Sequence, residues 1–351
     1  MQQPIDLSPR VVTLGTAGGP RWWSSRTGQH RHGIATAVVV GDAYYLVDAG
    51  LGVGRQLERA DLSFNDMRAM FITHLHSDHT VDIPSLLTMG LYTRDTDRAP
   101  IAVFGPGNRG ILPPVSPRAE AAPQPVCPDN PTPGTYDLVH SIVQAYATDL
   151  NDRILDALRP SPLDCFSVTD IQIPADIGYH PNDNPTPAAM APFEVYRDDL
   201  VTVTAILVEH PPVAPAFAFR FDTVAGSVTI SGDTTATDNL VTLATDTDLL
   251  LHEAIDFDWV EAAYGDGKTE TEQASIDHHR VSHTSPEQAI ELATRAGVAR
   301  LALHHLVPGN TPPERWETLA TTFAGDFLIP HDLDSISFAH QDTKTHTKVG
   351  A

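Results

Sequence analysis

The segment Phe71-Ile72-Thr73-His74-Leu75-His76-Ser77-Asp78-His79 constrains this chain more than any other part of it. An apolar run ends in a loop that carries three imidazoles and one carboxylate within six positions. Alternation along an extended chain puts His74 and His76 on one side. Asp78 and His79 follow in the turn and face a second point nearby. Histidine and carboxylate donors of this kind suit zinc, with manganese or iron as alternatives.

Around that segment the pattern is mixed. Val11–Gly15 is an apolar run closed by a loop signal, and Ala35–Val40 and Tyr44–Val47 flank Gly41-Asp42 as a hairpin. A helical stretch covers Gly54–Ala60, and Ala69–Thr73 leads straight into the histidines. Strand patterns return at Leu200–Val208, Ala216–Asp222, Ser227–Ser231 and Asp248–His252. Ser285-Pro286-Glu287 opens a helix that runs through Ala296 and stops at Gly297, followed by a strand at Arg300–Leu303. Strands and helices in both halves predict an α/β sandwich, with 1–351 as a single domain. Residues 105–195 differ in texture. Prolines crowd 106–133, and apolar spacing over about 136–158 predicts one amphipathic helix. This stretch reads as an insertion that acts as a lid over the cleft or as a contact in a homodimer.

His-x-His-x-Asp-His at 74–79 resembles the signature of the metallo-β-lactamase superfamily, whose fold is an αββα sandwich with metals along one edge. Val208-Glu209-His210-Pro211-Pro212, Ser231-Gly232-Asp233-Thr234 and Leu303-His304-His305-Leu306 are similar to its remaining ligand motifs, in the family's order. The resemblance implies a dinuclear zinc centre: His74, His76 and His210 on one ion, Asp78, His79 and His305 on the other, Asp233 bridging. Of the histidine pair, His305 is chosen because the family's ligand precedes the leucine. It also implies a metal-bridged hydroxide as nucleophile, its pKa lowered toward 7.

His252-Glu253-Ala254 and His283-Thr284-Ser285 resemble segments of ribonuclease Z-like and bacterial arylsulfatase-like members. The resemblance gives His283 the task of donating to the leaving group or oxyanion, with Glu253 fixing its tautomer. Asp78, His283 and Glu253 are then the catalytic set. The implied reaction is hydrolysis of a phosphodiester or aryl sulfate in a small anionic molecule, with a lactone or carboxylic ester as the alternative.

Charge decides what else is expected. Twenty-two basic residues face 45 acidic ones, a net charge of −23, which opposes binding to a polyanion. Only 23 positions separate His210 from Asp233, too few for the basic arm with which processing ribonucleases grip transfer RNA. A nucleic-acid substrate is therefore expected to be unlikely. The run Met1–Gly15 has no secretory pattern, and no apolar run is long enough for a membrane span, so the expected compartment is the cytoplasm. Trp22, Trp23, Arg26, His30 and His32 form a candidate aromatic pocket. Asp277-His278-His279 reads as a solvated loop, and Gly15, Gly18 and Gly19 show no phosphate-cradling pattern.

Overall fold

The computed structural model describes residues 8–23, 30–188, 190–265, 268–318 and 322–340. Two seven-stranded sheets pack face to face. The first holds β1 (Arg10–Gly15), β2 (Ala35–Val40), β3 (Ala43–Val47), β4 (Met67–Phe71), β5 (Ile101–Pro106) and β6 (Phe166–Ile171), with β14 (Ser335–Ser337) beside β1. The second runs β13 (Asp326–Leu328), β12 (Arg300–Val307), β11 (Leu249–Ile255), β10 (Gly226–Ile230), β9 (Phe217–Thr223), β8 (Thr202–Leu207), β7 (Phe193–Arg197).

The central strands are apolar without a break because both faces are covered. β2, β3, β10 and β11 are buried at every residue, as expected for strands between two layers. Period-two alternation then sorts the side chains. Tyr45, Val47 and Phe71 point into the core between the sheets, where they meet Val203, Phe217, Phe219 and Phe221. Tyr44, Leu46 and Met70 point outward and are covered by α1 (Val53–Arg59), α3 (Ile83–Thr88) and α4 (Thr135–Ala145). On the other side, Leu250, Leu301 and Leu303 lie beneath α10 (Pro286–Ala296) and α11 (Pro313–Glu317). The layers are therefore α, β, β, α, the expected sandwich.

α10 is the element that the sequence specifies best. Ser285 and Gln288 form a reciprocal capping box, Pro286 takes the first turn, and Gly297 closes the helix at φ 70°. The same device starts α9 (Glu270–Ser282), where Thr269 and Glu272 cap each other. α9 replaces the solvated loop expected at 277–279. It escapes an apolar count because only Ile276 and Ser282 are fully buried, whereas Thr269-x-x-Glu272 is a readable start signal. The remaining helices are α2 (Ser77–Thr80), α5 (Ala147–Asp156), α6 (Pro162–Cys165), α7 (Asp238–Ala244) and α8 (Phe257–Tyr264).

The segment 105–195 also differs from its sequence reading. The single helix of 136–158 is two, α4 and α5, broken at Tyr146. Val139 of α4 is fully buried with Ile101, Val103 and Phe166, so α4 belongs to the outer helical layer and does not span the cleft. β6 forms the edge of the first sheet. The proline-rich arm does reach the other half of the molecule: Arg118 pairs with Glu270 and Asp277 of α9 at 2.9 Å each. Among the described residues, no helix is long and apolar enough to cross a membrane.

Candidate metal centre

The ends of β4, β8, β10, β11 and β12 converge on one point, and each delivers a side chain there. β4 ends at Phe71, and the loop after it carries His74 and His76, which is also the N-cap of α2. That one turn of helix turns Asp78 and His79 inward, and both are buried. His210 follows β8, Asp233 follows β10, and Glu253 lies within β11.

His305 depends on a defect in the ladder. Glu253 pairs with His304 but Ala254 pairs with Leu306, so His305 is an unpaired extra residue, with φ 47°. Such a bulge re-aims a side chain, and here it turns His305 to the site. His304 stays on the strand, buried and outside both donor clusters.

The donors fall into two groups. The ligand atoms of His74, His76 and His210 lie within 4.8 Å of one another, as do those of Asp78, His79, Asp233 and His305. Asp233 lies between the groups. Its Oδ1 is 3.3 Å from His79 Nε2 and 3.2 Å from His305 Nε2, while its Oδ2 is 4.0 Å from both His74 Nε2 and His210 Nε2. His305 Nε2 is 3.4 Å from Asp78 Oδ2, and His76 Nδ1 is 3.3 Å from His210 Nε2. Two ligands each about 2.1 Å from a tetrahedral ion lie roughly 3.4 Å apart, so these spacings are those of a ligand shell.

Burial makes the same point. His74 Nε2 and Asp233 Oδ1 are inaccessible to solvent and have no hydrogen-bond partner. An orphaned buried donor or acceptor costs roughly 1–3 kcal/mol, and two side by side require an explanation that a divalent ion supplies. Burial holds His74 and His210 well below the ordinary histidine range, and neighbouring imidazoles add to the effect. Both are therefore neutral, the form that ligates. Asp78 runs opposite to its burial, because His79 and His305 hold its carboxyl below the usual range.

A surrounding layer fixes the rings. Asp48 accepts from His79 Nδ1 at 2.8 Å and from the Thr73 backbone N–H, also at 2.8 Å. His210 Nδ1 faces the Ser282 carbonyl at 2.8 Å, and the Gly19 N–H donates to Asp78 Oδ2 at 2.9 Å. Gly18 lies flat against His305, where a Cβ would come within 2.3 Å of the ring. Sequence reasoning missed Asp48, Gly18 and Gly19. Asp48 carried a weak signal, since it ends an apolar strand in a turn before a helix. Gly18 is required by its close approach to His305, and Gly19 by its left-handed backbone at φ 80°.

His283 lies beside the two groups. Its Nδ1 is 3.0 and 3.2 Å from the two Glu253 oxygens, and Glu253 also accepts from the Thr234 N–H at 2.9 Å. Burial would lower the His283 pKa, but the Glu253 carboxylate raises it to about 9. Both sequence-selected partners therefore meet at the site.

Other expectations fail. Trp22 is 91% exposed, His30 is exposed, and His32 turns away to pair with Asp332 at 2.9 Å. Arg26 lies outside the described residues. Trp23 does line the cavity in front of the cluster, as do His278 and His279 of α9.

This geometry has relatives. Residues 34–104 match the family described as "Anti-Pycsar protein Apyc1". The ribonuclease Z of Mycobacterium sp. (strain KMS) is 30% identical over 312 residues, covering 87% of this chain and 90% of that one. The chain belongs to the ribonuclease Z-like branch of the metallo-β-lactamase superfamily. Its fold superposes on the short form of human tRNase Z at a TM-score of 0.59, with 19% identity, over 94% of this chain and all of the other. It superposes on zinc-bound PqqB from Methylobacterium extorquens at 0.56, with 15% identity, over 93% and 99%. As a member of this branch, it is a metal-dependent hydrolase that acts on ester bonds, with a divalent-metal site in the buried histidine–aspartate cluster.

The branch corrects one expectation. Net charge and the short span from His210 to Asp233 argue against a nucleic-acid substrate, yet relatives over nearly the whole chain are ribonucleases by name, which makes such a substrate plausible. The sum of −23 counts the entire surface, whereas a substrate responds to the field at the site.

Proposed function

We propose that the chain is a dinuclear zinc-dependent phosphodiesterase whose scissile bond belongs to a nucleotide, with an RNA end as the first candidate. The carrying observation is Asp233, a fully buried carboxylate whose two oxygens face two separate donor groups. His74, His76 and His210 would hold one ion, and Asp78, His79 and His305 the other, with one Asp233 oxygen offered to each. When bound, such a pair supplies Lewis acidity toward phosphoryl oxygens and a readily deprotonated water.

The protein's own groups do the rest. Glu253 takes Nδ1 of His283, which leaves Nε2 of a ring that lines the cavity to donate a proton to the departing oxygen. Thr234 N–H holds Glu253 in turn, and Asp48 keeps His79 from rotating. Names of relatives favour phosphodiester chemistry over aryl sulfates, lactones or carboxylic esters.

The test is a side-by-side rate comparison on zinc-loaded protein. Its substrates are bis-p-nitrophenyl phosphate, an RNA with an unprocessed 3′ extension, p-nitrophenyl sulfate and a simple lactone, each with a chelator control. Chelator-sensitive cleavage of the two phosphodiesters is expected. Turnover of the lactone or the sulfate alone would overturn the reading.

A further inference from the structure

The cavity in front of the donor cluster, about 230 Å³, has two unlike walls. One is made of His76, Asp78, Asp233 and His283. The other is Trp23 and Trp259, edge to face with centroids 5.5 Å apart, and Arg21, whose guanidinium lies 5.9 and 5.8 Å from the two ring centroids. The proton transfer and metal binding assigned above make no use of two half-buried indoles at that place.

The fold nevertheless holds them firmly. Trp23 Nε1 donates to the Gly18 carbonyl at 2.8 Å, the residue that also packs against His305. Gly309 clears room for the indole, since a Cβ there would come within 2.5 Å of Trp23 Cδ1. Both rings rest on Ile255, Val260, Ile276 and Val307, a small core of their own. Side chains fixed this way line the cavity at little entropic cost to a ligand that packs on them.

We propose that Trp23, Trp259 and Arg21 form a subsite for the base of a nucleotide whose phosphodiester is being cleaved. This rests on the phosphodiesterase reading and specifies the group beside the reacting phosphate. Indole faces stack on any base, a contact worth about 5- to 150-fold in affinity per base. Arg21 is the one Arg or Lys side chain among the described residues that line the cavity, and guanidinium both stacks on rings and pairs with phosphate. The volume lies below the range of about 300–1,000 Å³ for pockets that enclose a whole drug-sized ligand, so the cavity has room for a base beside the reacting phosphate and leaves the rest of the substrate outside.

The experiment measures binding on the zinc-loaded full chain by calorimetry, with uridine 3′- and 5′-monophosphate against ribose 5-phosphate. At least one nucleotide should bind ten times or more tighter than the sugar phosphate. Trp23→Leu and Trp259→Leu should weaken the nucleotide by about 5- to 150-fold, change ribose 5-phosphate less than twofold, and keep their metal. Trp259→Phe should retain most of the preference. If Trp259→Leu fails to fold, Trp23→Leu and the exposed Arg21→Ala carry the test. Equal affinities in the wild type, or equal losses for both ligands at full metal content, would overturn the subsite.

The same preparations are assayed on a dinucleotide and on an RNA with a 3′ extension. Turnover without any preference for a base overturns the subsite alone. A base preference without phosphodiester turnover overturns the phosphodiesterase reading alone. A KM raised by Trp23→Leu on the RNA, the dinucleotide or both shows which form of nucleotide the subsite serves.

Discussion

Gly18→Ala perturbs the centre without touching a donor atom. The backbone at Gly18 has an ordinary φ, so alanine adds no conformational strain, and the whole effect is steric. A Cβ would come within 2.3 Å of His305 Cε1 and Nδ1, about 1.1 Å short of ordinary contact. The loop cannot retreat easily, because Gly18 N–H bonds to the Leu306 carbonyl at 3.1 Å and Leu306 N–H to the Thr16 carbonyl at 2.9 Å. The imidazole must therefore move by roughly 1 Å, while metal–ligand distances tolerate about 0.2 Å. The ion that Asp78, His79 and His305 are proposed to hold should be lost first. On the proposed dinuclear reading, metal analysis after dialysis should give close to two zinc ions per chain for the wild type and close to one for the variant, and turnover of bis-p-nitrophenyl phosphate should fall about 10²-fold or more. A variant that keeps two zinc ions and turns over within twofold of wild type would refute both the packing argument and the placement of His305.

Three further outcomes are expected. Asp233→Ala should lose both ions and all turnover, and two metals per chain by elemental analysis would show that the carboxylate does not bridge. His283→Ala should keep its metals yet slow turnover by roughly 10²-fold or more, with Glu253→Gln affected in the same direction, whereas unchanged kcat would remove the pair from the chemistry. Asp198 accepts hydrogen bonds from Tyr45 and Tyr196 and from the Leu200 and Val201 N–H groups, and pairs with Arg68 at 3.0 Å. Burial would raise its pKa, but these donors hold the carboxyl below the usual range. Its contribution is therefore present above the ordinary carboxylate pKa and lost as pH falls through the depressed value. Asp198→Asn should cost about 2 kcal/mol in urea unfolding at pH 7, and the gap should narrow toward pH 3; a gap that widens on acidification would contradict that sign.

What the sequence determined by itself was the set of groups and their layer. Unbroken apolar runs such as Ala35–Val40 are possible only for strands covered on both faces, and the capping residues of α10 state where that helix begins and ends. His74 through His79 announce a metal site because four donors within six positions have few other uses. Tertiary structure decided which distant atoms meet. The resemblance already chose His305 over His304, but the bulge that turns it to the centre is visible only in the ladder. Asp48 matters only because β3 pairs with β4, and Gly18 only because the loop after β1 bridges to β12 of the other sheet, so their neighbours are set by tertiary structure and not by sequence spacing. His278 and His279, expected in a solvated loop, line the cavity because Ile276 of α9 packs on Ile255 and Val307 at the ends of β11 and β12. Local pattern encodes burial and periodicity, whereas the approach of residues more than 200 positions apart is a property of the closed sandwich alone.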